Sequence, residues 1–240
     1  MLGLAARQIQ ILKLIVEEFI KTAEPVGSEA LDKKYNLGIS PATIRNEMVY
    51  LTKQGYLSKS HSSAGRMPTA LALKLYVNEL MKEKELSVAD EVSVKERVWE
   101  TRDNPEALIA AMTKILAERS KALGIIMDDD NRLHHAGYAN LLDMPEFYDI
   151  RVMRDVLNLI EEERALNEIF RYGASENQVQ VIYGQELGNR NLDPIGLVFT
   201  DVQTGQGNYH LAVLGSSRFD YPYIVPLMRY FKKLIEELIG

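Results

Sequence analysis

The chain has 240 residues, 46% of them hydrophobic, which is enough for real cores and excludes a disordered polymer. It has no cysteine, which rules out a disulfide framework and a thiolate metal site and makes a reducing cytoplasm the expected compartment. The net charge of −6 argues alone against a phosphate-rich partner, but it is unevenly spread: residues 1–84 hold 12 Lys/Arg against 8 Asp/Glu, and residues 85–240 hold 16 against 26. No stretch approaches the roughly 20 apolar residues that cross a bilayer, so a soluble protein without leader or membrane partner is expected.

Residues 7–22 place Ile9, Leu12, Ile15, Val16, Phe19 and Ile20 at helical spacing, with charged residues opposite. Glu24, Pro25, Val26 and Gly27 break this helix, and Ser28 is set to cap a short second one reaching about Tyr35. After the turn Asn36, Leu37, Gly38, the pair Ser40 and Pro41 is the strongest helix start in the chain. The serine caps a free amide, while proline has no N–H to lose at the first helical position. That third helix should run to about Lys53, with Gly55 beyond it. Ile44, Met48 and Leu51 share one face; Ala42, Thr43, Arg45, Asn46, Val49, Tyr50 and Lys53 share the other.

The residue types on that second face suit a duplex. Arg45 can bridge the two acceptors of a guanine edge, Asn46 can pair with adenine, and Ala42 or the Thr43 methyl can meet a thymine methyl. Ser40 and the amides behind it can hold a phosphate at the helix start, and Lys53 can reach another. The run from Tyr56 to Ser60 has strand character, and a polar tip from Ser62 to Gly65 ends in Arg66. A hairpin placed there is a wing, with Arg66 expected at an exposed position for a phosphate or the minor groove, and with His61, Ser62, Ser63 and Gly65 around it. A fourth helix should then run toward Lys84.

Four stretches of this region, EPVGS (24–28), ISPATIRNEM (39–48), GYL (55–57) and SAGRMPT (63–69), resemble the HrcA family of heat-inducible transcription repressors. The similarity resumes at GYANLLDMPEF (137–147) and LGSSRFDY (214–221). The resemblance implies an α+β chain: an N-terminal winged helix-turn-helix followed by a GAF-like domain, an antiparallel sheet with helices. It further implies a homodimer on an inverted-repeat operator upstream of chaperone genes, release on heat shock, and help from the GroE chaperonin. The family's DNA-contacting motif falls on Ser40, Pro41, Ala42, Thr43, Arg45 and Asn46, with the wing on His61, Ser62, Ser63, Gly65 and Arg66. This chain departs from the family in being shorter, since Leu123 runs almost directly into the GYANLL-like motif, so its sheet domain is expected to be reduced.

The expected division is 1–84 for DNA binding, 85–122 for a helical linker or dimerisation region, and 123–240 for the GAF-like domain. In the linker, Leu86, Val88, Val92, Val98 and Trp99 allow an apolar stripe, and Asn104 caps a further helix bearing Leu108, Ile109, Met112, Ile115 and Leu116. Strands are expected at 124–128, 133–140, 179–184, 195–202 and 209–214, helices at about 146–161, 162–172 and 222–239, with the helices on one face.

Enzyme chemistry finds no support in these residues. Asp128, Asp129 and Asp130 lack the spacing of a calcium loop, and adjacent His134 and His135 on a strand point to opposite faces. Arg218 and Asp220 are expected to pair structurally. No cofactor and no catalytic group is expected; the function to test is DNA binding by a repressor, with a small-molecule sensor built on the GAF-like domain as the alternative.

Overall fold

The computed structural model describes residues 3–59, 65–173 and 178–240. It divides into two compact units, residues 1–82 and 83–240.

In the first unit, α1 (Ala6–Thr22) buries Ile11, Leu12, Ile15, Val16 and Phe19. Helix α2 spans Ser28–Tyr35, capped from Gly27 without a side-chain bond rather than by Ser28. Asn36 (φ 44°) and Gly38 (φ 69°) turn the chain in the left-handed region before α3 (Pro41–Lys53). Strands β1 (Leu57–Lys59) and β2 (Arg66–Pro68) form an antiparallel ribbon. Helix α4 (Ala70–Leu75) continues as one π-helical stretch, Tyr76–Leu80, and ends there rather than near Lys84, because Met81 is already extended.

The segment 24–28 is more than a helix breaker. Val26 exchanges both backbone hydrogen bonds with Arg66, each 2.9 Å, and so adds a bridge to the ribbon. Pro25 sits against Gly65, where an added Cβ would lie 2.5 Å from the proline Cβ.

The second unit is built on a five-stranded, fully antiparallel sheet in the order β4-β3-β7-β6-β5: β3 (Leu123–Asp128), β4 (Leu133–Ala136), β5 (Gln180–Tyr183), β6 (Ile195–Thr204) and β7 (Gly207–Ser216). Helices cover both of its faces, not one. Leu123, Ile125, Met127, Leu197, Phe199 and Leu214 form a core with residues of α7 (Tyr138–Leu142), α8 (Ile150–Glu161) and α9 (Glu163–Gly173). On the other face α6 (Pro105–Ser120) comes so close to β3 that a Cβ on Gly124 would lie 2.8 Å from the Thr113 carbonyl oxygen. The long α10 (Tyr221–Ile239) packs on β6. With both faces covered, β3 reads as a continuous apolar run, and the residue pattern alone could not show the second layer.

Helix α5 (Val88–Trp99) and α6, expected as a linker, both fall in this unit. Arg97 is bonded to Glu118, and Arg119 to Asp90, across the two helices. The expected apolar stripe splits: Val98 is buried while Val88, Val92 and Trp99 are exposed, and the buried position beside Val98 is Val94, which the stripe did not include.

The strand expected over 133–140 stops at Ala136. Gly137 takes φ 96°, and Asn140 donates from Nδ2 to the carbonyls of Ala117 (3.1 Å) and Ala122 (2.9 Å). Side-chain bonding to those carbonyls favours a helical turn over a continued strand. The expected Arg218–Asp220 pair does not form: Arg218 bonds Glu146, which also accepts from the Ser216 hydroxyl at 2.8 Å, and Asp220 bonds Lys84. The GYANLLDMPEF and LGSSRFDY stretches thus meet in one half-buried contact.

An alanine at Gly137 would hold a left-handed φ and place its Cβ 2.6 Å from the Ala122 carbonyl oxygen. Gly137→Ala is expected to destabilise the second unit by about 2–4 kcal/mol, read as a lower urea midpoint.

Candidate nucleic-acid interface

Helix α3 is defined at its start and fixed along its back. Ser40 has extended backbone angles and its Oγ accepts from the Thr43 amide at 3.2 Å, with Pro41 in the first turn. The Thr43 hydroxyl lies 3.0 Å from Ser40 Oγ, so the two side chains form one capping unit. Ile44, Met48 and Leu51 are buried against the unit's core. Ala42, Arg45, Asn46, Val49, Tyr50 and Lys53 are all exposed, with Pro41 and Thr43 half-buried. The structure therefore brings together in one row the helix residues expected from the sequence.

Sequence reading missed Glu47, which holds that row in place. Its carboxylate accepts from Arg7 Nε (2.8 Å) and Gln8 Nε2 (3.0 Å) on α1. The Gln8 bond, opposed by burial and aided by Arg7, holds the Glu47 carboxyl below its usual range. A parallel clamp joins α1 to α2: Glu18 accepts from Lys34 (2.7 Å) and from the Tyr35 hydroxyl, and its carboxyl is lowered by those two bonds. Burial, then the Glu18 contact, raises the Tyr35 hydroxyl. The pattern that could have revealed Glu47 is a lone acid beside an otherwise cationic and neutral helix face.

The ribbon corrects the sequence reading. Gly65 is buried against Pro25, so it serves a close backbone approach rather than an exposed tip. Arg66 is half-buried at the ribbon's base, its Nε donating to Thr52 Oγ1 (3.2 Å) and its Nη1 to the Gly65 carbonyl (3.1 Å). It is not the free tip arginine expected for a phosphate, because its strand is paired to both Lys59 and Val26. His61, Ser62 and Ser63 lie outside the described residues.

Among the described residues no group of three His, Asp or Glu side chains is arranged to hold a metal ion. Asp128 accepts instead from the Asp130 and Arg132 amides and from Arg132 Nε (2.7 Å), closing the turn between β3 and β4. Asp129 accepts from the backbone and side chain of Asn208, both at 2.9 Å. A further pair not anticipated from sequence, His210 with Asp201 at 2.7 Å, bridges β6 and β7 under the stacked ring of Phe170. Among the described residues no helix is long and apolar enough to cross a membrane.

Two measurements check this geometry. Arg66→Ala is expected to lower the unfolding free energy by about 1 kcal/mol through its lost hydrogen bonds, and to leave the salt dependence of DNA binding unchanged. Glu47→Gln is expected to cost about 1 kcal/mol near neutral pH, since its partner Arg7 is more than half exposed. The parent clamp should be complete above the ordinary glutamate value of 4.5 and be lost as the pH falls through the lowered folded value, so the gap between the two proteins should close on acidification.

Comparison with known proteins gives this geometry a context. The family described as HrcA protein C terminal domain matches residues 51–225. A heat-inducible transcription repressor HrcA from Carboxydothermus hydrogenoformans is 26% identical, covering 98% of this chain and 98% of its own. That alignment runs over 336 positions, more than the 240 residues present here, so the relative carries internal segments this chain lacks. The protein of the same name from Clostridium tetani is 42% identical over 122 residues, half of this chain and 35% of its own. A solved structure described as a hypothetical protein at 2.2 Å resolution shares the fold, with a TM-score of 0.78 at 17% identity over 99% of both chains. The family match alone spans most of the sequence, from the last turn of α3 into the first of α10, and the chain therefore belongs to the HrcA family.

Proposed function

We propose that this protein is a sequence-specific, DNA-binding repressor of heat-shock genes, whose first unit acts as a winged helix-turn-helix with α3 in the major groove. The observation that carries the reading is the exposed row on α3. Arg45, Asn46 and Lys53 stand outward with small Ala42 beside them, on a helix whose back is buried and clamped through Glu47. A solvated helix would need only some charge there; a guanidinium next to a carboxamide also matches the acceptor and donor pattern of base edges. The relatives' name, heat-inducible transcription repressor, supplies the regulatory context. It is a binding role, not an enzymatic one.

In this reading Arg45, Asn46, Ala42 and Thr43 face bases, and Ser40, with the amides after Pro41, and Lys53 face phosphates. One such helix reads too few base pairs for tight selectivity, so two copies related by a two-fold axis on an inverted repeat are required. The second unit is read as a reduced GAF-like domain. The GroE chaperonin as a partner is supported by family resemblance alone, and the cytoplasm is the compartment where the target genes lie.

A ligand-sensing regulator is the second reading. The specific feature in its favour is a cavity of about 260 Å³ lined by Asn104, Glu106, Asp128, Arg132, His134 and Tyr209, polar groups converging beside the start of α6. Metabolite-dependent operator affinity would favour it over direct thermal control.

The deciding measurement is titration of the purified chain against a chaperone-promoter inverted repeat and a scrambled duplex, with the mass of the complex recorded. Preference for the repeat and two copies per duplex are expected; equal binding of both duplexes would refute the assignment. Arg45→Ala should cost about 1–3 kcal/mol and relax selectivity at one base pair, whereas Lys53→Ala should weaken all sequences alike and reduce the salt slope by about one.

A further inference from the structure

Helix α3 turns two large apolar side chains outward among its polar ones. Val49 is 39% and Tyr50 37% exposed, whereas Ile44, Met48 and Leu51 on the opposite face are buried. Val49 lies four residues beyond Arg45 and three beyond Asn46, so the three share one patch of helix surface. At 1.5 Å of rise per residue, Ala42 to Val49 covers about 10 Å, inside the roughly 12 Å width of the major groove. An aliphatic side chain in that groove finds apolar chemistry at one place on a base-pair edge, the 5-methyl of thymine. Left in water, the same side chain would gain nothing from its position.

We propose that Val49 is a specificity-determining residue that packs against a thymine methyl in each operator half-site, with Tyr50 next to it along the groove. The inference rests on the DNA-binding reading and adds a base identity to it: the thymine read by Val49 neighbours the pairs read by Arg45 and Asn46. Ala42 and Thr43 sit two turns earlier, so any thymine they meet is a different one. Removing one packed methyl group amounts to about a fourfold change in Kd.

The test uses the full chain and begins from a randomised pool of duplexes, so that the protein itself selects the operator sequence. Each thymine of the enriched duplex is then replaced in turn by deoxyuridine, which keeps every pairing edge and lacks only the methyl. With the parent protein, one thymine per half-site is expected to show about fourfold weaker binding on replacement. Val49→Ala, a change at an exposed site with an unaltered circular dichroism spectrum expected, should bind the thymine duplex at that weaker level and lose nothing further with deoxyuridine. Insensitivity of every thymine in the parent, or equal sensitivity of the same thymine in Val49→Ala, would overturn the proposal while leaving DNA binding intact. Failure to enrich any duplex would instead end both readings.

Discussion

Helix α3 can offer its outer face only because its inner face is fully committed. Ile44, Met48 and Leu51 sit in the core with Ile11, Leu12, Ile15 and Val16 of α1, and such contacts are worth a few kcal/mol per side chain. Apolar packing sets which way the helix faces but is weakly directional along its axis. The Glu47 bonds to Arg7 and Gln8 add the missing directionality, tying one turn of α3 to the first turns of α1. The Ser40 cap fixes where the helix begins, and so where Arg45 and Asn46 fall. A base-reading side chain displaced by one residue would be rotated by about 100° away from a groove, so the buried and clamped side of this helix determines what its exposed side can do.

The two sequence stretches flanking α3 in the first unit turn out to be partners of each other. Pro25 rests on Gly65, and Val26 pairs with Arg66 through two backbone bonds. The segment between α1 and α2 is thereby joined to the ribbon that follows α3, closing a loop around the helix. Gly65 is required here by the 2.5 Å approach of the proline rather than by any freedom of its backbone. In the second unit the same economy recurs: GYANLLDMPEF and LGSSRFDY meet through Glu146, Arg218 and Ser216, and Gly137 with Asn140 secures the strand end to the carbonyls that finish α6.

What could be read from the residues followed the physics that leaves a local trace. Caps, proline starts and 3.6-residue periodicity are local, and they located α1, α2, α3 and α10 to within a residue or two, together with the start of α6. The exposed face of α3 was legible for the same reason. Arg66 was misplaced because a cation beside a glycine looks the same in sequence whether it stands free or reaches back to Thr52, and only the distant bridge to Val26 decides between them. Glu47 stands out in sequence only as a lone acid beside the exposed face of α3; its partners could not be read, because they lie about forty residues away. The strand predicted through Gly137 failed because a turn held by side-chain bonds to two remote carbonyls is a tertiary effect, and the second helical layer was hidden because a strand buried on both faces has no alternation to read.

The shortened length bears on how the second unit keeps a core. An α+β sheet loses stability when one face is stripped, since a single exposed apolar face of this size would favour association over solubility. Here α7, α8 and α9 cover the face of Ile125, Leu197, Phe199 and Leu214, while α6 and α10 cover the other, with Gly124 allowing α6 to sit directly on β3. Whatever internal segments the longer relatives carry, none is needed to complete these two layers. The large apolar residues left exposed among the described residues of this unit, Val88, Val92 and Trp99 on α5, Leu142 on α7, Tyr148 just before α8, and Ile150 and Leu157 on α8, lie off the sheet. The sheet core and the inner face of α3 are therefore each closed within their own unit.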